Sequence, residues 1–169
     1  MRIYLLGLMG SGKTTIGKKL AKKLNYQFVD LDEVIEQKYG CSIAEYFEKY
    51  GEDSFRVVEQ QTLRESFQHN DAVVSTGGGV PCFFNNMDEI LEFGVSIYLM
   101  ADVNLLVQRL KGGTDQRPLI KNKSIEELKE YLRQMTLKRE VFYKRANLII
   151  DAKDLTVEKI LDELDLKRS

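Results

Sequence analysis

One stretch of eight residues constrains this chain more than any other. Gly7-Leu8-Met9-Gly10-Ser11-Gly12-Lys13-Thr14 satisfies GxxxxGK[ST] at every fixed position. The apolar run at 3–6 precedes it and reads as a buried strand. A helix over 13–24 follows, with Ile16, Leu20 and Leu24 at i, i+4, i+8 and lysines on the other face. Strand, glycine-rich turn and helix in that order argue for a parallel α/β sheet. The physics of the turn is direct. Glycines let backbone N–H groups converge on an anion, and the helix N-terminus adds partial positive charge. Lys13 brings a full charge to β- and γ-phosphates, and the Thr14 hydroxyl is a hard oxygen of the kind Mg²⁺ prefers. The motif therefore points to a nucleoside triphosphate site.

The rest of the chain keeps the alternation. Strands are predicted at 27–29, 72–75, 95–100 and 147–150, and helices between 33 and 67 and at 87–93, 103–110 and 157–164. Helices then cover both faces of the sheet. The 169 residues suit one domain. Lys and Arg number 25 against 26 Asp and Glu, so no global charge draws the chain to nucleic acid or an anionic membrane. Cys41, Cys82 and the single histidine His69 supply neither a disulfide framework nor zinc-ligand spacing. No run approaches the roughly 18 apolar residues of a membrane span, and the N-terminal run lacks the form of a signal peptide. A soluble, cytoplasmic domain is expected. Residues 111–123 are polar, carry Gly112-Gly113 and Pro118, and have little periodicity. They read as an active-site lid or as a disordered connection.

The fate of the γ-phosphate needs other residues. Asn122-Lys123-Ser124-Ile125 has serine and isoleucine where a guanine reader needs its aspartate, which disfavours a guanine-nucleotide switch. Asp30-Leu31-Asp32 follows the second strand, on the edge where parallel sheets bind ligands. These carboxylates could hold Mg²⁺ and accept a proton from an attacking hydroxyl, or they could simply cap a helix. Phe55-Arg56-Val57-Val58-Glu59 sets Arg56 and Glu59 at i, i+3, a spacing that base rates assign to an exposed surface pair. Thr76-Gly77-Gly78-Gly79 leaves another buried strand. Three glycines make sense where a ligand approaches backbone closely, and otherwise as a flexible turn. Leu128, Leu132, Met135 and Phe142 form an apolar helical stripe, and Arg139 falls on it. A charge there lines a cleft or snorkels to the core edge. In Gln116-Arg117-Pro118-Leu119, the arginine either closes over the γ-phosphate or is merely solvated.

Taken together, these blocks resemble the shikimate kinases, from residue 3 to about residue 151. The phosphate loop, Asp30-Leu31-Asp32, the FRxxE block, the triple glycine and Arg117-Pro118-Leu119 stand in the family's order, with Arg139 and Tyr143 as a sixth block. The resemblance implies a fold like the nucleoside monophosphate kinases: a three-layer αβα P-loop domain over 1–169, whose five-stranded parallel sheet runs 2-3-1-4-5. It implies a substrate-binding helical region at about 31–66 and a mobile lid at about 111–123. The implied reaction is ATP-dependent phosphorylation of the 3-hydroxyl of shikimate, in aromatic amino-acid synthesis, by a monomer. Lys13, Asp32 and Arg117 would be catalytic. Asp32, Arg56, Glu59, Gly77, Gly78, Gly79 and Arg139 would bind shikimate. Gly10, Ser11, Gly12, Lys13, Thr14, Thr15, Arg109 and Arg117 would bind ATP, with Arg109 near the adenine. Thr14 and Asp30 would serve Mg²⁺.

Overall fold

β1 (Arg2–Leu6) is the central strand, and from Ile3 to Leu6 its residues are wholly buried. It pairs with β3 (Ala72–Ser75) on one side and β4 (Val95–Met100) on the other; β2 (Gln27–Asp30) and β5 (Leu148–Asp151) take the two edges. The order is β2-β3-β1-β4-β5 and every pairing is parallel. The computed structural model describes residues 1–112, 120 and 122–166. Most of the segment expected to form the lid, including Arg117, lies outside the described residues.

The pleat sorts the core into two layers, because successive side chains point to opposite faces. Ile3 and Leu5 of β1 face α1 (Lys13–Leu24) and α7 (Val157–Leu166), packing against Ile16, Leu20, Ala21, Ile160 and Leu164. Tyr4 and Leu6 face the opposite layer, where they join Leu63, Met87, Ile90, Leu106, Leu128 and Tyr143. Those residues come from α3 (Ile43–Ser66), α4 (Asn86–Phe93), α5 (Val103–Gly112) and α6 (Ile125–Tyr143). The stripe on α6 differs from expectation in one member. Tyr143 is wholly buried and Phe142 only half-buried, because the drift of a 3.6-residue repeat over the length of α6 turns the next residue inward. Residues 122–124 are the entry to α6: Ser124 and Glu127 form a reciprocal capping box there.

Between the phosphate helix and β3, α2 (Leu31–Tyr39) and α3 build an outlying region around a small core of Ile35, Tyr46, Phe55 and Val58. α3 is broken at Gly51, whose φ of 78° is open to glycine and strained for other residues. The kink starts a fresh helical run at Glu52, so that Glu52, Arg56 and Glu59 lie along one face, one helical turn apart.

Register explains why distant motifs meet. Leu5 of β1 and Asp30 of β2 both pair with Ser75 of β3. The phosphate loop, the aspartate pair and the triple glycine thus leave three adjacent strands at the same height, at the carboxyl edge of the sheet.

The close packing beneath this edge is testable. Gly94 precedes β4 with an extended backbone that any residue could adopt, yet a Cβ there would lie 2.6 Å from the Tyr4 ring and 2.9 Å from the Arg2 carbonyl oxygen. Tyr4 has nowhere to move, so Gly94→Ala should destabilise the fold by about 2 kcal/mol in urea denaturation. An unchanged midpoint would contradict this packing.

Candidate active site

The loop between β1 and α1 is shaped by three glycines at positive φ: Gly7 at 142°, Gly10 at 80° and Gly12 at 99°. Gly12 caps α1 without a side-chain acceptor, so the first-turn N–H groups of α1 keep their donors for an anion. Thr15 sits exposed on that first turn, and Ser11 is buried inside the loop. Lys13 Nζ donates to the carbonyl oxygens of Gly7 at 2.8 Å and Leu8 at 3.0 Å, which curls the ammonium over the loop's centre. Arg109 donates to Ser11 O at 3.0 Å and Ala152 O at 2.7 Å. It ties the phosphate loop to the turn after β5, a contact that neither its place on α5 nor the loop motif announces.

Asp30 is a helix cap, one of the two readings left open for it, and it also touches the phosphate loop. One carboxylate oxygen accepts from Asp32 N at 3.1 Å and caps α2, while the other accepts from Thr14 Oγ1 at 2.9 Å. A hydroxyl and a carboxylate held together at the phosphate loop are hard oxygen donors, which fits Mg²⁺ bound directly or through water.

The triple glycine forms a wall on which the acceptor-side residues converge. A Cβ on Gly77 would stand 2.8 Å from Asp32 Oδ1 and 2.9 Å from Glu59 Oε1. One on Gly78 would stand 2.8 Å from Arg139 Nη1 and 3.5 Å from the Gly7 carbonyl oxygen of the phosphate loop. One on Gly79 would collide with Arg56 Nη1 and lie 2.9 Å from its guanidinium carbon. Each glycine is thus bare because a charged side chain presses on it. Gly78 thus also faces the phosphate loop, and the two halves of the site adjoin.

Arg56 and Glu59 overturn the expectation of a surface pair. Glu59 is 2% exposed and Arg56 8%, and their Nη1–Oε2 distance is 2.8 Å. The cause is tertiary: α3 lays this face against the triple-glycine turn, which spacing along one helix does not reveal. Glu52 takes the other edge of the guanidinium, accepting from Nη2 at 3.0 Å and Nε at 3.3 Å. Burial raises the Glu59 carboxyl to about 6 from 4.5; Arg56 and Arg139 pull it back down, and the charge of Asp32 pushes it further up. Arg139 does reach the cleft. It adjoins Gly78 and Tyr143, and Tyr143 donates its phenolic hydrogen to Gly78 O at 2.5 Å. Burial drives the Tyr143 phenol far above its ordinary range, so it stays a neutral donor. Cys82 lies close enough to feel Arg139, Arg56 and Glu59, and burial raises its thiol to about 11.

Glu52, Cys82 and Phe83 are the site residues that sequence reasoning missed, and Tyr143 was left without a role. Glu52 had a signal, its i−4 spacing from Arg56; Phe83 had none. Among the described residues no cluster of three or more His, Cys, Asp or Glu forms a metal cage; Thr14 and Asp30 hold a hydroxyl and a carboxylate 2.9 Å apart at the phosphate loop, donors of the kind a cation could share with phosphate oxygens.

The raised Glu59 carboxyl has a consequence for stability. Between 4.5 and about 6 the native chain holds a proton that the unfolded chain has released. Stability therefore falls as pH rises through that window, by about 2 kcal/mol from this group. Glu59→Gln cannot titrate. Relative to wild type, its stability should improve by about 2 kcal/mol between about pH 4 and pH 7 in paired urea melts. A difference that stays flat with pH would contradict the burial argument.

Comparison with known proteins meets this geometry from outside. The family model for shikimate kinase matches residues 9–166. A shikimate kinase of Azobacteroides pseudotrichonymphae genomovar. CFP2 is 45% identical over 164 residues, 96% of each chain. The crystal structure of the shikimate kinase from Bacteroides thetaiotaomicron superposes with a TM-score of 0.95 at 37% identity, over 98% of each chain. That of Acinetobacter baumannii in complex with shikimate gives 0.87 at 36% identity, over 99% of this chain and 94% of that one. The match spans the phosphate loop, the aspartate pair and the triple-glycine wall alike, and on that breadth this chain belongs to the shikimate kinase family.

Proposed function

We propose that this chain transfers the γ-phosphoryl group of ATP to the 3-hydroxyl of shikimate. The observation that carries the reading is the triple-glycine turn, where Asp32, Glu59, Arg139 and Arg56 converge and Gly78 faces both Arg139 and the phosphate-loop carbonyl of Gly7. Two guanidiniums suit one carboxylate, and an aspartate between them and the phosphates suits an alcohol.

Roles follow from position. The loop backbone of Gly10, Ser11 and Gly12, with Lys13, Thr14 and Thr15 at the start of α1, seats the triphosphate. Arg56 and Arg139 hold the shikimate carboxylate, and the bare backbone of Gly77, Gly78 and Gly79 lets the ring come close. Glu59 fixes Arg56 from behind. Asp32 accepts the hydroxyl proton as the oxygen attacks; the new O–P bond forms as the bond from the γ-phosphorus to the β–γ bridging oxygen breaks, and ADP leaves. Lys13 and Arg117 offset charge gathering on the transferred group. Arg109 braces the loop beside the nucleotide. Mg²⁺, held through Thr14 and Asp30, would neutralise charge on the β- and γ-phosphates.

Water is a competing hydroxyl. A kinase of this design must exclude it, so that ATP meets the alcohol and not solvent. The same reading has the enzyme act as a monomer in the cytoplasm on diffusible substrates, with 31–66 as the acceptor-binding region. The near-balanced charge gives no pull toward nucleic acid or an anionic membrane. Among the described residues no helix is long and apolar enough to cross a membrane.

ADP release, coupled to an indicator reaction, should depend on shikimate and be absent with gluconate, the acceptor of another family of P-loop sugar-acid kinases. Asp32→Ala should lower turnover by about 10²–10⁴-fold. Calorimetry should show its ATP affinity largely intact. No shikimate-dependent ADP release from wild type would overturn the reading, and turnover of Asp32→Ala within about threefold of wild type would overturn the role of Asp32.

A further inference from the structure

Arg56 is held on more sides than its two carboxylate partners account for. Glu59 and Glu52 take its edges, at 2.8 and 3.0 Å. Gly79 closes another side. The guanidinium also lies over the ring of Phe83, whose centroid is 4.0 Å from the guanidinium carbon. Phe55 and Phe47 stand further off, at 5.4 and 5.7 Å.

The Phe83 contact is built into the same short connection as the wall. After Gly79 comes one turn of 3-10 helix, Val80–Cys82, and then Phe83 in extended backbone. Asn86 donates to Val80 O at 2.8 Å and accepts from Gln60 on α3 at 3.1 Å, which anchors the connection to the helix that carries Arg56. The next residue is Phe84, at φ 53° and largely exposed. A bulky residue seldom takes that left-handed conformation, and it persists only where the surroundings dictate it. Here the sharp turn leaves the Phe83 ring over Arg56 while the following ring faces solvent.

From this geometry we propose that Phe83 is a positioning residue for substrate recognition: its ring sets the plane of the Arg56 guanidinium so that the free N–H donors face the substrate carboxylate. The inference rests on the shikimate reading above and deepens it. An aromatic face attracts a guanidinium without using any of its N–H groups. Glu52 is more than half exposed and competes for the same edge. Without the ring, the guanidinium is free to rotate toward Glu52 and away from the ligand.

Steady-state kinetics on the full chain tests this with Phe83→Ala, Phe83→Leu and Phe83→Tyr. Leucine keeps volume without a π face; tyrosine keeps the face. Ala and Leu should each raise the KM for shikimate ~5- to 30-fold. Their kcat should stay within about threefold of wild type and their KM for ATP should not change. Tyr should restore the wild-type shikimate KM. With Arg56→Lys as background, where no planar guanidinium exists, Phe83→Leu should add nothing. Phe83→Leu with the wild-type shikimate KM, failure of Tyr to restore it, or an undiminished Leu effect beside Arg56→Lys would each overturn the inference, reducing the ring to a filler. Wild-type turnover of shikimate with Phe83 variants that keep its shikimate KM sinks this inference alone. Wild-type enzyme without shikimate turnover sinks the functional reading beneath it.

Discussion

The site depends on a close approach of backbone to charge. Asp32 and Glu59 crowd Gly77, Arg139 crowds Gly78 and Arg56 crowds Gly79, each at a distance no Cβ would permit. Four ionised or ionisable groups can gather there because the polypeptide itself is the wall between them, with no side chain in the way. The sheet makes this possible. Asp30 and Leu5 share the register of Ser75, so the acid-bearing turn and the phosphate loop flank the glycine turn. Gly78 of the same turn faces Gly7 O, which sets the acceptor-side residues next to the phosphate loop.

The electrostatics of the pocket are set by burial as much as by charge. Arg56 between Glu59 and Glu52 could have been a closed ion-pair cluster with nothing left for a ligand. Burial lifts the Glu59 carboxyl to about 6, which still leaves it largely ionised at neutral pH, while exposure weakens the pull of Glu52, which is solvated. The guanidinium is thereby oriented without being fully neutralised. Arg139 stands beside a phenol that burial keeps protonated, and its charge also reaches the Glu59 carboxylate. Both arginines retain charge for an incoming carboxylate, which is the condition for anion binding in a site already rich in acids.

Much of the fold was legible because its signals are local. Strand and helix limits from period and glycine punctuation fall within one or two residues of β1–β5, α4, α5 and α7, and α1 coincides with its expected limits. The sheet order came from family likeness, since no local pattern encodes which strands adjoin. The phosphate loop was readable residue by residue because its function is performed by backbone at fixed spacing. Arg56 and Glu59 were not: read as a helical pair they belong on the surface, and only the docking of α3 against a distant turn buries them. Phe142 for Tyr143 was an error of helical phase at the far end of a long stripe. Phe83 and Cys82 gave no signal, because their place beside Arg56 arises from one 3-10 turn and a strained residue after it. Arg117 falls outside the described residues, so its role rests on likeness and chemistry alone.

The wall can be tested at a single atom. Gly79 has an ordinary helical backbone, φ −83° and ψ −22°, so alanine there strains nothing in the chain. Its methyl group would displace only the end of a flexible side chain, the guanidinium of Arg56. Calorimetric titration of Gly79→Ala should show shikimate binding weakened by about 10- to 100-fold, with a folded protein and an unchanged ATP affinity. Shikimate affinity equal to wild type would mean that bare backbone beside Arg56 is not what builds the acceptor pocket.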